Sequence, residues 1–389
     1  MMAGAEQKWY VKYTFILAGL ILFVYTMIVA KSVLQPLLFA LFFSILLSPM
    51  CQWLESYKVP RLLSAFLAIL TGLLGLIGLG FFFYTQISAF AGDVDIFRER
   101  FEEILENVQA FLAARFGIDE FIDFDQMRTS VIDFFGENTD TMLRRVADAA
   151  SVFTSIFLVP VFMFLMLIFR DFLKEFVLKA FGRNSEKDYK KVARIITKVK
   201  DVVQGYITGI LMVILILAVI NSIMLMIVGV EHAIFFGVFA AMLNVIPFIG
   251  PMIGSILPVV YAFFTMDSLL YPLIILLAFY IIQLFESNLF TPVIVGRQVS
   301  INAFAALLLL FIGAQIWGLV GMILIIPLGA MMKVVFDEVD SLQPYGYLLG
   351  KVPKEPSREG RLAQKISQFS EKVEEKKVAK EKENSDDDK

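Results

Sequence analysis

Residues 231–267 read EHAIFFGVFAAMLNVIPFIGPMIGSILPVVYAFFTMD, and this stretch decides the fold. Only its ends, Glu231 and Asp267, are charged. The 35 residues between them are too many for one membrane-crossing helix and too few for two of about 20 residues plus a turn. Pro247 and Pro251 each remove a backbone donor, and Gly250 permits a sharp reversal, so a regular helix cannot continue through the middle. Two arms of roughly 15 residues, each about 22 Å long, would reach most of the way into a bilayer and return. The stretch therefore reads as a broken or re-entrant helical hairpin.

Downstream the pattern recurs. INAFAALLLLFIGAQIWGLVGMILIIPLGAMM (301–332) is again too long for one span, and Gly313, Gln315 and Gly318 supply turn chemistry near its middle. One span separates the two hairpins, Leu269 to about Thr291, ending in QLFESNLFTP. Upstream lie five apolar runs, Tyr13–Ala30, Val33–Leu54, Leu62–Tyr84, Ala150–Phe169 and Tyr206–Val230. Lys8 and Lys12 ahead of the first run resemble the start of a secretory signal, but the second run follows almost at once, which favours an uncleaved membrane hairpin. In the third, Gly72, Gly75, Gly78 and Gly80 remove bulk along one side and would let another helix approach. The expected fold is an all-α polytopic membrane protein of about eight hydrophobic elements, two of them broken hairpins. A chain that is 58% hydrophobic, with 39 phenylalanines and only 18% charged residues, has a bilayer as its natural solvent.

Charge orients it. Residues 86–149 hold fourteen Asp and Glu against six Arg and no Lys, whereas residues 170–204 hold ten Lys and Arg against five acids. The positive-inside rule places the basic stretch and both termini in the cytosol and the acidic one outside. In the acidic stretch Phe97, Phe101, Ile104, Leu105, Val108 and Leu112 recur at helical spacing, which predicts an amphipathic helix. It would lie on the bilayer, against a neighbouring subunit, or around a ligand. In the basic stretch Val192, Ile195, Ile196, Val199 and Val203 form an apolar stripe flanked by lysines, suited to the anionic inner leaflet. The organisation is then 1–85, three transmembrane helices; 86–149, the acidic extracytosolic segment; 150–170, a transmembrane helix; 171–204, basic cytosolic helices; 205–345, a transport core with two hairpins; and 346–389, a charged tail expected to be disordered or a solvated helix.

One cysteine (Cys51) and one histidine (His232) exclude a disulfide framework and a His-rich metal site. No HExxH, GxGD, P-loop or GxSG with a partnering histidine occurs, so neither an enzyme nor an ATP-driven pump is expected, and no cofactor, metal or nucleic-acid partner is expected. From Tyr206 to Met332 the charged residues are Glu231, Asp267, Glu286 and Arg297. Paired discontinuous helices free backbone groups to bind ions or solute, although broken helices also serve packing alone. Pro247, Gly250, Pro251, Gly313 and Gly318 are the expected breaks. Glu286 is the main ion-coupling candidate, with Gln283 one turn before it, and Asn244, Asn221 and Asn288 as uncharged groups able to share its cavity. Either this carboxylate is hydrated at the cytosolic interface, or it is tucked among the hairpins and exchanges a proton for a cation or a solute hydrogen bond.

NVIPFIGPMIGSILP (244–258), ESNLFTPVIVG (286–296) and LLLLFIGAQIWGLVGMILIIPLGA (307–330), in this order and spacing, resemble the successive signatures of the autoinducer-2 exporter (AI-2E) family, the PerM-like permeases. The resemblance runs from Tyr13 to about Leu349, with the acidic loop included. It implies a homo-oligomeric permease of the bacterial inner membrane that exports autoinducer-2 or exchanges Na⁺(Li⁺) for H⁺. Where many relatives have His-Pro after ESNLFTP, this chain has Asn302-Ala303, and Gln315-Ile316-Trp317 replaces a more apolar loop. A different class, a structural or regulatory scaffold working through the acidic loop and the tail, would need no buried carboxylate. Its partners would be other proteins rather than the bilayer and a small solute or monovalent cation.

Overall fold

The computed structural model describes residues 9–90, several helical positions between 99 and 114, and residues 150–182, 185–295 and 301–350. No strand occurs among them. The helices are α1 (Trp9–Val29), α2 (Lys31–Ser56), α3 (Arg61–Phe90), α4 (Ala150–Ile168), α5 (Arg170–Phe181), α6 (Glu186–Val228), α7 (Ala233–Leu243), α8 (Ile249–Thr265) and α9 (Leu270–Phe285). A π-helical turn (Glu286–Phe290) leads into α10 (Thr291–Ile294), followed by α11 (Ala303–Glu338) and α12 (Gln343–Leu349). Six of the described helices are long and apolar enough to cross a membrane: α1, α2, α3, α6, α9 continued through α10, and α11. The helix expected over residues 97–112 and the charged tail lie largely or wholly outside the described residues.

Close packing follows small side chains. Ala40, Cys51, Ala65, Ala68, Ile69, Met163 and Leu167 bind α2, α3 and α4 into one cluster. At its end Arg61 donates to the carbonyl of Leu167 (3.3 Å) and pairs with Asp171 (2.7 Å), while Arg170 pairs with Glu55. Arg61 thereby occupies one of the carbonyls that the C-terminus of α4 leaves without an intrahelical partner. Among the described residues the glycines of α3 do not perform the packing expected of them. A β-carbon at Gly72 would stand 3.7 Å from Leu47, and at Gly75, Gly78 and Gly80 it would meet no described atom within 4 Å.

Helix α6 is 43 residues long and runs unbroken from the basic stretch into the apolar span, so the boundary drawn at 204–205 falls inside one helix. Ser185 caps its start, accepting from the Asp188 amide at 3.1 Å, and Gly229 ends it with φ +91°, a conformation glycine adopts without steric penalty. The stripe expected to rest on lipid turns inward at its C-terminal end. Val203 is fully buried with Phe42 of α2 and Trp317 and Leu324 of α11, and Val199 packs against the same cluster.

Both broken stretches fold as tight hairpins. In the first, α7 and α8 lie so close that a β-carbon at Gly254 would approach Ala240 Cα to 2.8 Å and one at Gly250 would approach the Leu243 carbonyl oxygen to 1.8 Å. The residue that reverses the chain is Phe248 (φ +68°), not Gly250, which sits in the first turn of α8 and serves close approach. Pro247 lies in the turn, and Pro251 takes a first-turn helix position where its missing N–H costs nothing. In the second, α11 is broken at Trp317 (φ −136°, ψ 16°) and Gly318 (φ 61°, ψ −136°). Gly313 lies before that break, where the arms touch: a β-carbon on Gly321 would stand 1.9 Å from its carbonyl oxygen. The two sequence departures have structural uses. Asn302 caps α11 by accepting from Ala305 N (2.8 Å) and donates to Leu348 O (2.7 Å). Trp317 Nε1 donates to Met27 O near the end of α1 (2.9 Å).

Candidate functional site

The C-terminal end of α9 meets Pro292, which has no N–H for the carbonyl of Asn288 four residues earlier. The backbone widens there into a π turn, with the Thr291 amide bonded to the Glu286 carbonyl, five residues back. Such turns concentrate at functional sites because the extra residue re-aims side chains. Glu286 is aimed into the bundle and only 7% exposed, which rules out the fully hydrated interfacial carboxylate.

Three side chains converge on it. Gln283 Nε2 donates to Oε2 at 2.6 Å, Asn244 Nδ2 donates to Oε1 at 3.4 Å, and Thr291 Oγ1 also donates to Oε1. Asn244 is the C-cap of α7, so the first hairpin delivers it, while the π turn and α10 deliver Thr291. All three partners are neutral donors, and among the described residues no cationic side chain pairs with Glu286. A buried carboxylate held this way has no compensating charge among the described residues, and a proton or a bound monovalent cation would supply one.

The other sequence candidates stand apart. Asn288 is exposed and donates to Leu284 O at 2.8 Å. Asn221 is buried in α6, but its Oδ1 accepts no hydrogen bond among the described residues. Thr291 was missed as a ligand. The signal was Pro292, whose demand on the preceding turn brings residue 291 back over residue 286. A surface cavity of about 900 Å³ lies elsewhere, between Lys187, Lys191 and Arg194 of α6 and Asp337, Glu338 and Asp340. It is bridged by Lys191–Asp340 (3.3 Å), and none of the four residues at Glu286 lines it.

The sequence profile described as AI-2E family transporter matches residues 17–341. YrrI of Bacillus subtilis is 28% identical over 321 residues, covering 79% of this chain and 87% of that protein. YueF of the same organism is 24% identical over 356 residues, covering 86% and 94% respectively. The AI-2 transport protein TqsA of Escherichia coli is 24% identical over 328 residues, covering 84% and 92%. With a bundle of membrane-length helices, two tight hairpins and a family match over most of its length, the chain is a multi-pass membrane protein that belongs to the AI-2E transporter family.

Proposed function

We propose that this protein is a secondary transporter of the bacterial inner membrane that moves a small polar solute against protons, with Glu286 as the proton-carrying group. The single observation that carries this reading is the buried carboxylate held by three neutral donors from three elements, Asn244 of the first hairpin, Gln283 of α9 and Thr291 beyond the π turn. Autoinducer-2, which gives TqsA its name, is the first solute to test, and Na⁺ or Li⁺ in exchange for H⁺ is the second. Na⁺ or Li⁺ would compensate the charge at Glu286 in exchange for its proton, whereas an uncharged solute would hydrogen-bond to it. In this reading both hairpins are re-entrant, entering from opposite faces, since α7 and α8 begin and end near Glu231 and Asp267 while α11 begins and ends near Asn302 and Glu338. Residues 205–345 form the transport core. A homo-oligomer completes the reading, because the face of α3 at Gly75, Gly78 and Gly80 meets no other described residue of the chain.

Flux decides it. Purified protein in vesicles should move autoinducer-2, or Na⁺, together with an opposite proton signal from an internal pH dye. Deleting the residues after Pro353 should leave that flux unchanged. A protein inert toward both solutes whose cellular role depends on its tail would be a scaffold instead.

Sidedness has its own test. The charge balance of residues 170–204 places them and both termini in the cytosol, with the α8–α9 connection outside. In a Cys51→Ala background, a cysteine at Asp267, whose side chain is 97% exposed, should react with an impermeant thiol reagent added to intact cells. A cysteine at Lys187 should react only after permeabilisation. The reverse pattern would invert the topology.

A further inference from the structure

The tip of the first hairpin is strained. Phe248 has φ 68° and ψ −46°, and the amide of Ile249 bonds the carbonyl of Pro247 at 2.8 Å. An i to i+2 hydrogen bond around a residue with positive φ is the rare, strained form of γ-turn, and a bulky residue at its centre is a steric outlier. The ring does not repay the strain by burial, being 58% exposed. What holds the turn shut lies on either side of it. Ile246 is buried, Gly250 N bonds Ile246 O at 2.9 Å, and Asn244 is tied to Glu286.

We propose that Phe248 is a positioning residue: its strained turn is a spring that drives the hairpin tip away from Glu286 once the Asn244–Glu286 hydrogen bond is released. The inference rests on the reading of Glu286 as the proton carrier. A carboxylate accepts strongly from Asn244, whereas a proton placed on Oε1 removes the charge and leaves a hydroxyl that accepts only weakly, so the bond from the amide N–H is weakened. Few other groups compete for this role. Glu231, His232 and Asp267 stand at the opposite ends of α7 and α8, Tyr206 is the titratable side chain that α6 contributes to the cluster containing Ala241, Ile282 and Phe290, and Arg297 lies outside the described residues. Strain of this kind persists only where surrounding contacts over-determine it, and it collects at switches for that reason.

Glycine tests the spring because it takes positive φ without penalty, so it relaxes the closed tip and should hold it closed. The readout is labelling of Ile246→Cys, buried in this closed form, by a thiol reagent in reconstituted Cys51→Ala protein. Adding Phe248→Gly should slow labelling by about tenfold and slow flux, while leaving Tm unchanged or higher. Phe248→Ala keeps the strained backbone and loses only the ring, so it should label at the parent rate. Glu286→Gln should speed labelling, and Phe248→Gly should partly reverse that. The spring is overturned if the glycine variant labels as fast as the parent, or if alanine slows labelling as much as glycine, which would assign the effect to the ring. If Glu286→Gln leaves labelling unchanged while Phe248→Gly slows it, the spring stands and the proton-carrier reading of Glu286 fails.

Discussion

Glu286→Gln is expected to insert and fold but to lose proton-coupled flux by about 100-fold or more, as when an essential acid–base group is removed. The substitution keeps shape and removes charge. Its amide oxygen can still accept from Thr291, and Gln283 can rotate its own amide to meet the new N–H, while the bond from half-buried Asn244, the longest of the three and no longer assisted by charge, is the one released to water. Removing a buried uncompensated charge offsets what mismatch remains, and the net change in stability should lie within about 1–2 kcal/mol. The measurement is a pH-gradient-driven flux in vesicles beside a thermal unfolding curve of the same preparation. Full coupled flux in a well-folded Glu286→Gln protein would reduce this carboxylate to a structural hydrogen-bond acceptor.

Its partners should grade by the geometry of their bonds. Asn244 makes the longest of the three at 3.4 Å, so Asn244→Ala should weaken apparent affinity severalfold, about 1 kcal/mol, without abolishing flux. Thr291→Val keeps the volume and deletes a donor close to Oε1, and should cost more than Asn244→Ala. Asn288→Ala should change little, since its amide serves the Leu284 carbonyl on the exposed side.

The helices and both breaks were legible in the sequence because hydrocarbon leaves few options. An apolar run of given length either spans or doubles back, and Pro247 and Gly318 mark where it doubles. Glu286, Gln283 and Asn244 were legible as rare polar groups in the most apolar part of the chain. What spacing did not show was three-dimensional phase. The π turn brings Thr291, five residues on, back over Glu286, an alignment that a regular 3.6-residue helix would not predict. Nor does glycine content distinguish a conformational role from a steric one. Gly250 looked like the pivot and is a contact point, whereas Phe248, unremarkable by type, carries the reversal. The inward turn of Val203 was hidden for the same reason, since an apolar stripe between lysines fits a lipid surface and a protein groove equally well.

Gly250→Ala should therefore be among the most destabilising single-methyl changes in the chain. The added Cβ would fall 1.8 Å from the Leu243 carbonyl oxygen and 2.4 Å from its carbon, a clash with backbone that no rotamer change can relieve. Either α8 slides off α7 or the turn at Phe248 opens, and both pull Asn244 from Glu286. A loss of about 3 kcal/mol or more is expected, at the upper end of what overpacking causes, with flux lost along with it. Gly250→Leu should be worse by the bulk it adds, yet still insert, because insertion depends on the apolar arms. Gly321→Ala should match it, since its β-carbon would stand 1.9 Å from the Gly313 carbonyl oxygen across the second hairpin. Gly78→Ala is the control. No described residue would lie within 4 Å of an added β-carbon at that position in α3, so helix propensity alone predicts a gain of up to about 1 kcal/mol for the isolated chain. Thermal unfolding of the four variants in one detergent measures the order. Gly250→Ala unfolding at the wild-type temperature would mean the two arms are not in backbone contact, and the argument tying the hairpin tip to Glu286 would lose its anchor.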